Sequence, residues 1–319
     1  MKRHLLITGG AGFIGSNFIS YLLENSNYYI TNVDSLTYAG NLETIQSFVK
    51  SNRCRSIQAD IGEKTELSKV FDQDYFAIIN FAAESHVDRS IEDAFPFIHT
   101  NIIGTYNLLQ AVLSGKAHKM IQISTDEVYG SLEPNDSPFT ETTSLSPNNP
   151  YSASKASADL LVRSYFQTYQ LPLTVTRCSN NYGPMQHTEK FIPKVITRAL
   201  NNIEIPLYGD GLNIRDWIYV EDHCRAIHAV LEKGLAGEVY NIGGCEEKTN
   251  REIIDYILKK LRKEEKLIKH VVDRKGHDRR YSMDSSKISR ELGWSPTISF
   301  HEGIQKTIEW YRQNEQKNG

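Results

Sequence analysis

The chain of 319 residues is poor in cysteine, in long apolar runs and in excess charge of either sign. Its four cysteines, Cys54, Cys178, Cys224 and Cys245, include no pair at CxxC or other metal-ligand spacing, which argues against a disulfide scaffold or a zinc site. No metal is expected, and a reduced, cytoplasmic protein is the plain expectation. The first apolar run, Leu5 to Thr8, stops at Gly9, too short for a secretory signal or a membrane span. Lys and Arg number 36 against 39 Asp and Glu, a net charge of −3 with no long basic run, so a nucleic-acid backbone is not an expected partner. Repeats and low-complexity stretches are absent too.

What is present suits a packed core: 39% apolar and 24% charged residues, enough for one large α/β domain or two unequal ones. Strand-length apolar runs at 4–8, 29–34, 55–59, 77–81, 120–124 and 173–178 alternate with helical patterns at 14–25, 64–72, 96–113 and 152–169. Such alternation predicts a doubly wound parallel sheet covered on both faces. The second half is less regular, with helices near 193–200, 222–233 and 250–263, a strand at 238–242 and an amphipathic tail helix at 302–316. The expected division is a Rossmann-type domain over 1–180, returning at about 217–243, and a smaller α/β substrate domain over most of 181–319.

Gly9, Gly12 and Gly15 follow the first strand and open a helix. Gly9 suits a tight turn, Gly12 lets the backbone approach a pyrophosphate, and Gly15 lets helix and strand pack closely. The helix N-terminus would then face the phosphates. The second strand ends at Asp34, where a carboxylate would accept from the adenosine ribose and repel a 2′-phosphate, so NAD is expected rather than NADP. Asp60 ends the third strand and suits an adenine contact or a plain loop.

Tyr151 and Lys155 stand four apart at the start of a helical pattern, on one face. A phenol titrates near ~10 and is a weak base at neutral pH. An adjacent ammonium and a nicotinamide cation would lower it. Thr125, Asp126 and Glu127 follow the fifth strand, at the sheet edge that faces ligands in such folds. A simple dehydrogenase or epimerase has no use for two extra carboxyls. A dehydratase needs one to remove a proton alpha to a carbonyl and one to protonate the departing hydroxyl. Adjacent strand residues point to opposite faces, so the backbone must turn there.

The glycine fingerprint with YxxxK resembles the extended short-chain dehydrogenases. GGAGFIGS (9–16), LTYAGN (36–41), AAESHVDRSI (82–91), STDEVYG (124–130), YSASKA (151–156), CSNNYGP (178–184), IRDWIYVEDH (214–223), YNIGG (240–244) and GHDRRY (276–281) resemble, in order, the dTDP-glucose 4,6-dehydratase family. The resemblance implies that Tyr151 deprotonates the glucose 4-hydroxyl while Thr125 hydrogen-bonds it. It implies Asp126 as the acid at O6, Glu127 as the base at C5, and Lys155 as the residue that orients the nicotinamide ribose. Further cofactor positions implied are Phe13, Ile14, Ser35, Leu36, Thr37, Ile61, Phe81, Ala82, Ala83, Ser85, Thr100 and Asn181.

For the substrate, dTDP-glucose, it implies Ser85, Asn180, Lys190, Phe191, Pro206, Leu207, Tyr208, Arg215, Asn250, the stretch from Asp273 through Arg274 to His277, and Tyr281. Lys190 and Arg215 would meet the diphosphate. A homodimer packed through 96–113 and 152–169 is implied as well. A UDP- or GDP-sugar 4,6-dehydratase and a UDP-hexose 4-epimerase are the neighbouring alternatives, and an NAD-sensing scaffold the remote one. The short 130–141 segment and Met185-Gln186-His187 depart from the family pattern. Both bear on pocket detail, and which deoxysugar pathway uses the product, rhamnose or another, is not written in the motifs.

Overall fold

The computed structural model describes residues 3–273 and 276–318. Its strands are β1 (His4–Thr8), β2 (Tyr29–Asp34), β3 (Cys54–Gln58), β4 (Ala77–Asn80), β5 (Met120–Thr125), β6 (Leu173–Cys178), β7 (Asn180–Tyr182), β8 (Ile205–Tyr208), β9 (Ile214–Tyr219), β10 (Val239–Ile242), β11 (Glu247–Thr249) and β12 (Ile268–Val271). Seven of them form one sheet, in the order β10-β6-β5-β4-β1-β2-β3, with every pairing parallel. Neighbouring side chains on β1 go to opposite faces, as strand geometry requires. Leu5 and Ile7 pack with Phe18, Ile19 and Leu22 of the helix Phe13–Asn25 and with Ile227 and Val230 of the helix Val220–Lys233. Leu6 packs on the other side with Leu108, Leu109 and Val112. Both faces are therefore buried, which explains why the central strands read as unbroken apolar runs. The doubly wound sheet is the expected one, and its strand order reverses between β1 and β4, where such sheets open a crevice.

A second core lies beside it, built from Ile192, Val195 and Ile196, Ile253, Ile254 and Ile257, and Phe300, Ile304 and Ile308. It carries the three-stranded sheet β11-β9-β7 and the pair β12-β8. Trp217 to Tyr219, where a return to the first domain is expected to begin, form part of β9, with Ile218 packed in the large-sheet core. The reason is aromatic packing: the rings of Trp217 and Tyr219 both stand edge-on to Tyr182, at 6.2 and 5.6 Å. From Ile218 and Val220 the chain packs on the large sheet, and it joins that sheet at β10. Ile288, Leu292 and Trp294 then add a later piece of chain to the large-sheet core.

The helix expected over 64–72 is α-helical only at Lys64–Leu67, with a 3₁₀ turn at Ser68–Val70. The one expected over 96–113 starts at Phe95 and is wound as a π-helix through Ile98–Gly104. That wider winding brings Asn101 inward, where its side chain accepts from Glu84 N (3.0 Å) and donates to Ser154 Oγ (2.8 Å). The 130–141 segment is pinned against 278–283, through backbone pairing of Leu132 with Arg280 and Phe139 with Met283. It lines neither cavity of the site below. Among the described residues no helix is long and apolar enough to cross a membrane, and no group of three or more His, Cys, Asp or Glu is placed to hold a metal ion.

Candidate active site

At the reversal of strand order lies a cavity of about 980 Å³. Its floor is the glycine turn. Gly9 has φ +73°, and a Cβ there would sit 2.5 Å from Ala82 N; one on Gly15 would sit 2.4 Å from Gly9 O. Gly12 precedes the helix Phe13–Asn25, whose N-terminus has no side-chain cap. Asp34 locks this turn to β2: Ala11 N donates to its Oδ2 and Leu36 N to its Oδ1, both at 2.8 Å. Burial raises the Asp34 pKa, and these two amides pull it back down. Asp60 is on the wall as well, accepting from Gly62 N at 2.7 Å.

Every residue expected at the cofactor lines this cavity except Leu36. Leu36 is a turn residue at φ +56° whose amide is spent on Asp34.

The opposite wall carries the reactive side chains. β5 ends at Thr125 and passes directly into a 3₁₀ turn, Asp126–Tyr129. This supplies the required change of direction, so Thr125, Asp126 and Glu127 all reach the cavity. Thr125 Oγ1 donates to Asp126 Oδ1 (3.1 Å) and accepts from Glu127 N (3.3 Å). The helix Pro150–Tyr169 is fixed at its start by a capping box between Asn149 and Ser152, with Pro150 in the first turn. That start sets Tyr151 and Lys155, only 8% and 4% exposed, against the same cavity.

Burial raises the pKa of Asp126 well above the usual carboxylate range, and Glu127 beside it adds to the effect. Burial raises Glu127 too, opposed chiefly by Arg215 and Lys190. Burial, then the nearby Glu127, raise the Tyr151 pKa well above 10.0, and the nicotinamide cation expected to lower it acts only once NAD is bound. Lys155 Nζ donates one of its three N–H groups to Ile123 O at 2.5 Å. Lys155 is itself lowered by burial, with Asp159 opposing.

A second cavity, of about 200 Å³, opens from the first and shares Ser85, Glu127, Asn180, Asn181, Gln186 and Lys190 with it. Phe191, Pro206, Tyr208, Arg215, Asn250, His277 and Tyr281 line it as expected. Leu207 does not. On β8 it alternates with Pro206 and Tyr208, and its side chain is wholly buried in the second core. Asp273 is exposed and off the wall, although its Oδ1 lies 2.6 Å from His277 Nδ1. Arg274 lies outside the described residues.

The Arg215 guanidinium stands 4.2 Å over the Tyr281 ring and donates to Asp278 O at 2.9 Å. Lys190 Nζ donates to Ser85 O at 2.8 Å. The two cations thus sit on the walls around Glu127. Sequence reasoning missed Asn149, Trp217 and Asp278 in the smaller cavity, and Tyr38, Trp310 and Tyr311 in the larger. Met185, Gln186 and His187, expected to adjust the substrate pocket, all line the larger cavity; only Gln186 also reaches the smaller.

The chain is matched by a family model described as GDP-mannose 4,6 dehydratase, over residues 6–307. It is 48% identical to a dTDP-glucose 4,6-dehydratase of Neisseria gonorrhoeae, over 98% of this chain and 96% of the relative. The dTDP-glucose 4,6-dehydratase of Streptomyces venezuelae, solved with NAD bound, superposes with a TM-score of 0.95 at 46% identity, over 98% of both chains. The chain belongs to the dTDP-glucose 4,6-dehydratase family. Its activity is that of an NAD-dependent hydro-lyase. A UDP-glucose 4-epimerase of Thermotoga maritima shares the architecture, with a TM-score of 0.91, at 30% identity over 98% of this chain and 99% of that one. Architecture alone therefore does not separate dehydratase from epimerase, whereas the close relatives do.

Proposed function

We propose that this chain converts dTDP-glucose to the 4-keto-6-deoxy sugar nucleotide and water, with Tyr151, Glu127 and Asp126 dividing the proton transfers. The observation that carries this is the meeting of both carboxyls with Tyr151 on one wall, a wall an epimerase would not need. NAD fits the larger cavity, because the absence of a Cβ at Gly9 and Gly15 permits the tight turn, packed on Ala82 and on Gly9 O, that sets the uncapped helix N-terminus against it; bound there, it would supply the acceptor and donor of the hydride exchanged with C4 and C6. Asp34 would hold its adenosine ribose and Lys155 its nicotinamide ribose. Thr125 hydrogen-bonds the 4-hydroxyl and Tyr151 removes its proton. With C4 a ketone the C5 proton is acidic; Glu127 takes it, and Asp126 protonates O6 as it leaves as water. The raised pKa of Asp126 suits a group that must hold a proton at neutral pH.

Arg215 and Lys190 are assigned to the diphosphate and Pro206, Tyr208 and Asn250 to the nucleoside end, with residues 1–180 and the return at about 217–243 forming the cofactor domain. A homodimer is supported by the apolar stripe Phe95, Ile98, Tyr106 and Leu113 and by Leu160 on the neighbouring helix, all exposed. Buried thiols at Cys54, Cys178 and Cys224 suit a reducing cytoplasm. The test is turnover with dTDP-, UDP- and GDP-glucose side by side, reading the keto-sugar. A keto-sugar from dTDP-glucose is expected, and epimerised product without dehydration would overturn the reading.

A further inference from the structure

Residues 183–190 leave the second core at the end of β7 and rejoin it at the helix Phe191–Leu200. Between those points they reach several separate places in the cofactor half. Asn17 Nδ2 donates to Pro184 O at 3.1 Å, and the Met185 sulfur accepts from the hydroxyls of Ser16 and Thr44, both at 4.0 Å. His187 stands edge-on to the Tyr38 ring at 5.9 Å. Glu189 accepts from Arg89 Nη2 at 3.0 Å, and the Arg89 guanidinium lies 3.6 Å over the same Tyr38 ring. His86 and His187 flank the other carboxylate oxygen of Glu189, at 3.6 and 3.8 Å.

A path of contacts therefore runs from the turn after Asp34, through Tyr38 and Arg89, to Glu189. Tyr38, Met185 and His187 also line the larger cavity, so the path joins two of its walls. The three joined side chains are all partly open to solvent, which puts the junction on the outer side of that cavity. The reaction gives such a junction a use. Hydride taken from C4 has to return to C6 of the same sugar, and departure of the cofactor midway would strand the sugar as a ketone.

We propose that residues 183–190 are a clasp over the cofactor and that Arg89 is its catch, slowing cofactor release by holding Glu189 on the clasp and Tyr38 on the facing turn. Arg89 itself lines neither cavity, so it is a positioning residue that acts through those two side chains. The inference rests on the cofactor placement proposed above.

The test loads the enzyme with carbon-14 NAD, chases with excess unlabelled NAD, and follows the label that stays with the protein through desalting. Arg89→Met keeps an apolar stem beside Tyr38 but has no charge for the ring or for Glu189. It should release label about tenfold faster than wild type, as the loss of a partly exposed ion pair and a cation–π contact would give. Glu189→Gln loses the ion pair alone and should release about threefold faster. The double variant should be no faster than Arg89→Met, because its partner charge is already gone. Tyr38→Phe keeps the ring and should hold label as wild type does, whereas Tyr38→Leu should not. Added salt should narrow the gap between wild type and Glu189→Gln, a response that a merely loosened fold would not give. Wild-type retention in Arg89→Met overturns the clasp, as does a double variant in which the two accelerations multiply. A chain that holds its label through Arg89 but makes no keto-sugar from dTDP-glucose sinks the proposed reaction instead, so the two failures are distinguishable.

Discussion

Asp159 Oδ2 accepts from Arg177 Nε at 2.9 Å in the protein interior, one helical turn beyond Lys155. Arg177 also donates to the Tyr129 hydroxyl at 2.9 Å, so the pair is held on both sides. Asp159→Asn would leave a buried guanidinium without its counter-charge. The expected loss is about 3–5 kcal/mol of folding stability. Replacing both partners, Asp159→Leu with Arg177→Met, should cost less, because no lone charge is stranded. Urea denaturation of the two variants checks the order, and a single variant as stable as wild type would deny the pair its structural role.

Glu127→Gln is close in shape but cannot accept the C5 proton. Reduced nicotinamide should therefore accumulate on mixing with dTDP-glucose, with turnover down about 10²–10⁴-fold. Stopped-flow absorbance reads the accumulation. A variant that turns over at the wild-type rate makes Glu127 a bystander.

Asp34→Asn removes the charge that would face a 2′-phosphate, while keeping one oxygen for the Ala11 or Leu36 amide. The preference for NAD over NADP should narrow by about tenfold, equal to ~1.4 kcal/mol. Fluorescence titration with both cofactors measures the ratio. An unchanged ratio means that discrimination lies elsewhere.

His223 is wholly buried, its Nδ1 2.8 Å from Asn181 Oδ1, and burial lowers its pKa from 6.5 to about 3. A base depressed on folding stabilises the fold fully above its unfolded value and loses that contribution as pH falls. Stability should therefore drain between pH 6.5 and about 3, by up to ~1.4 kcal/mol per pH unit for one proton. In His223→Gln the slope over this window should be shallower by that single-proton share, whatever the variant's overall stability. Denaturation curves across the window decide it, and identical slopes would remove His223 from the acid response.

The cofactor half of the site was legible because its parts are local. Gly9, Gly12, Gly15 and Asp34 lie on one strand–turn–helix–strand unit, where spacing along the chain is spacing in the fold. Leu36 stands off the cavity wall, since a turn can consume an amide without bringing its side chain to that wall. The small cavity was harder to read. Trp217, Asp278 and Asn149 meet there from distant stretches of chain, and no local periodicity announces such a meeting. Leu207 faces the second core while Pro206 and Tyr208 face the cavity, because β8 alternates. Tyr151 and Lys155 were correctly put on one face, but the direction of the phenol's shift depends on Glu127 and burial, which only the folded arrangement supplies. The π-helical winding at Ile98–Gly104 left no trace in the apolar spacing.

Six side chains serve as a party wall between the two cavities. A substitution at Asn180 or Lys190 is felt in both rooms at once, so such positions have little freedom to drift. Pro206, Tyr208 and Asn250 border the smaller room alone. Descendants of this chain could exchange those three and handle a different nucleoside, while the half of the site that moves hydride carried on undisturbed.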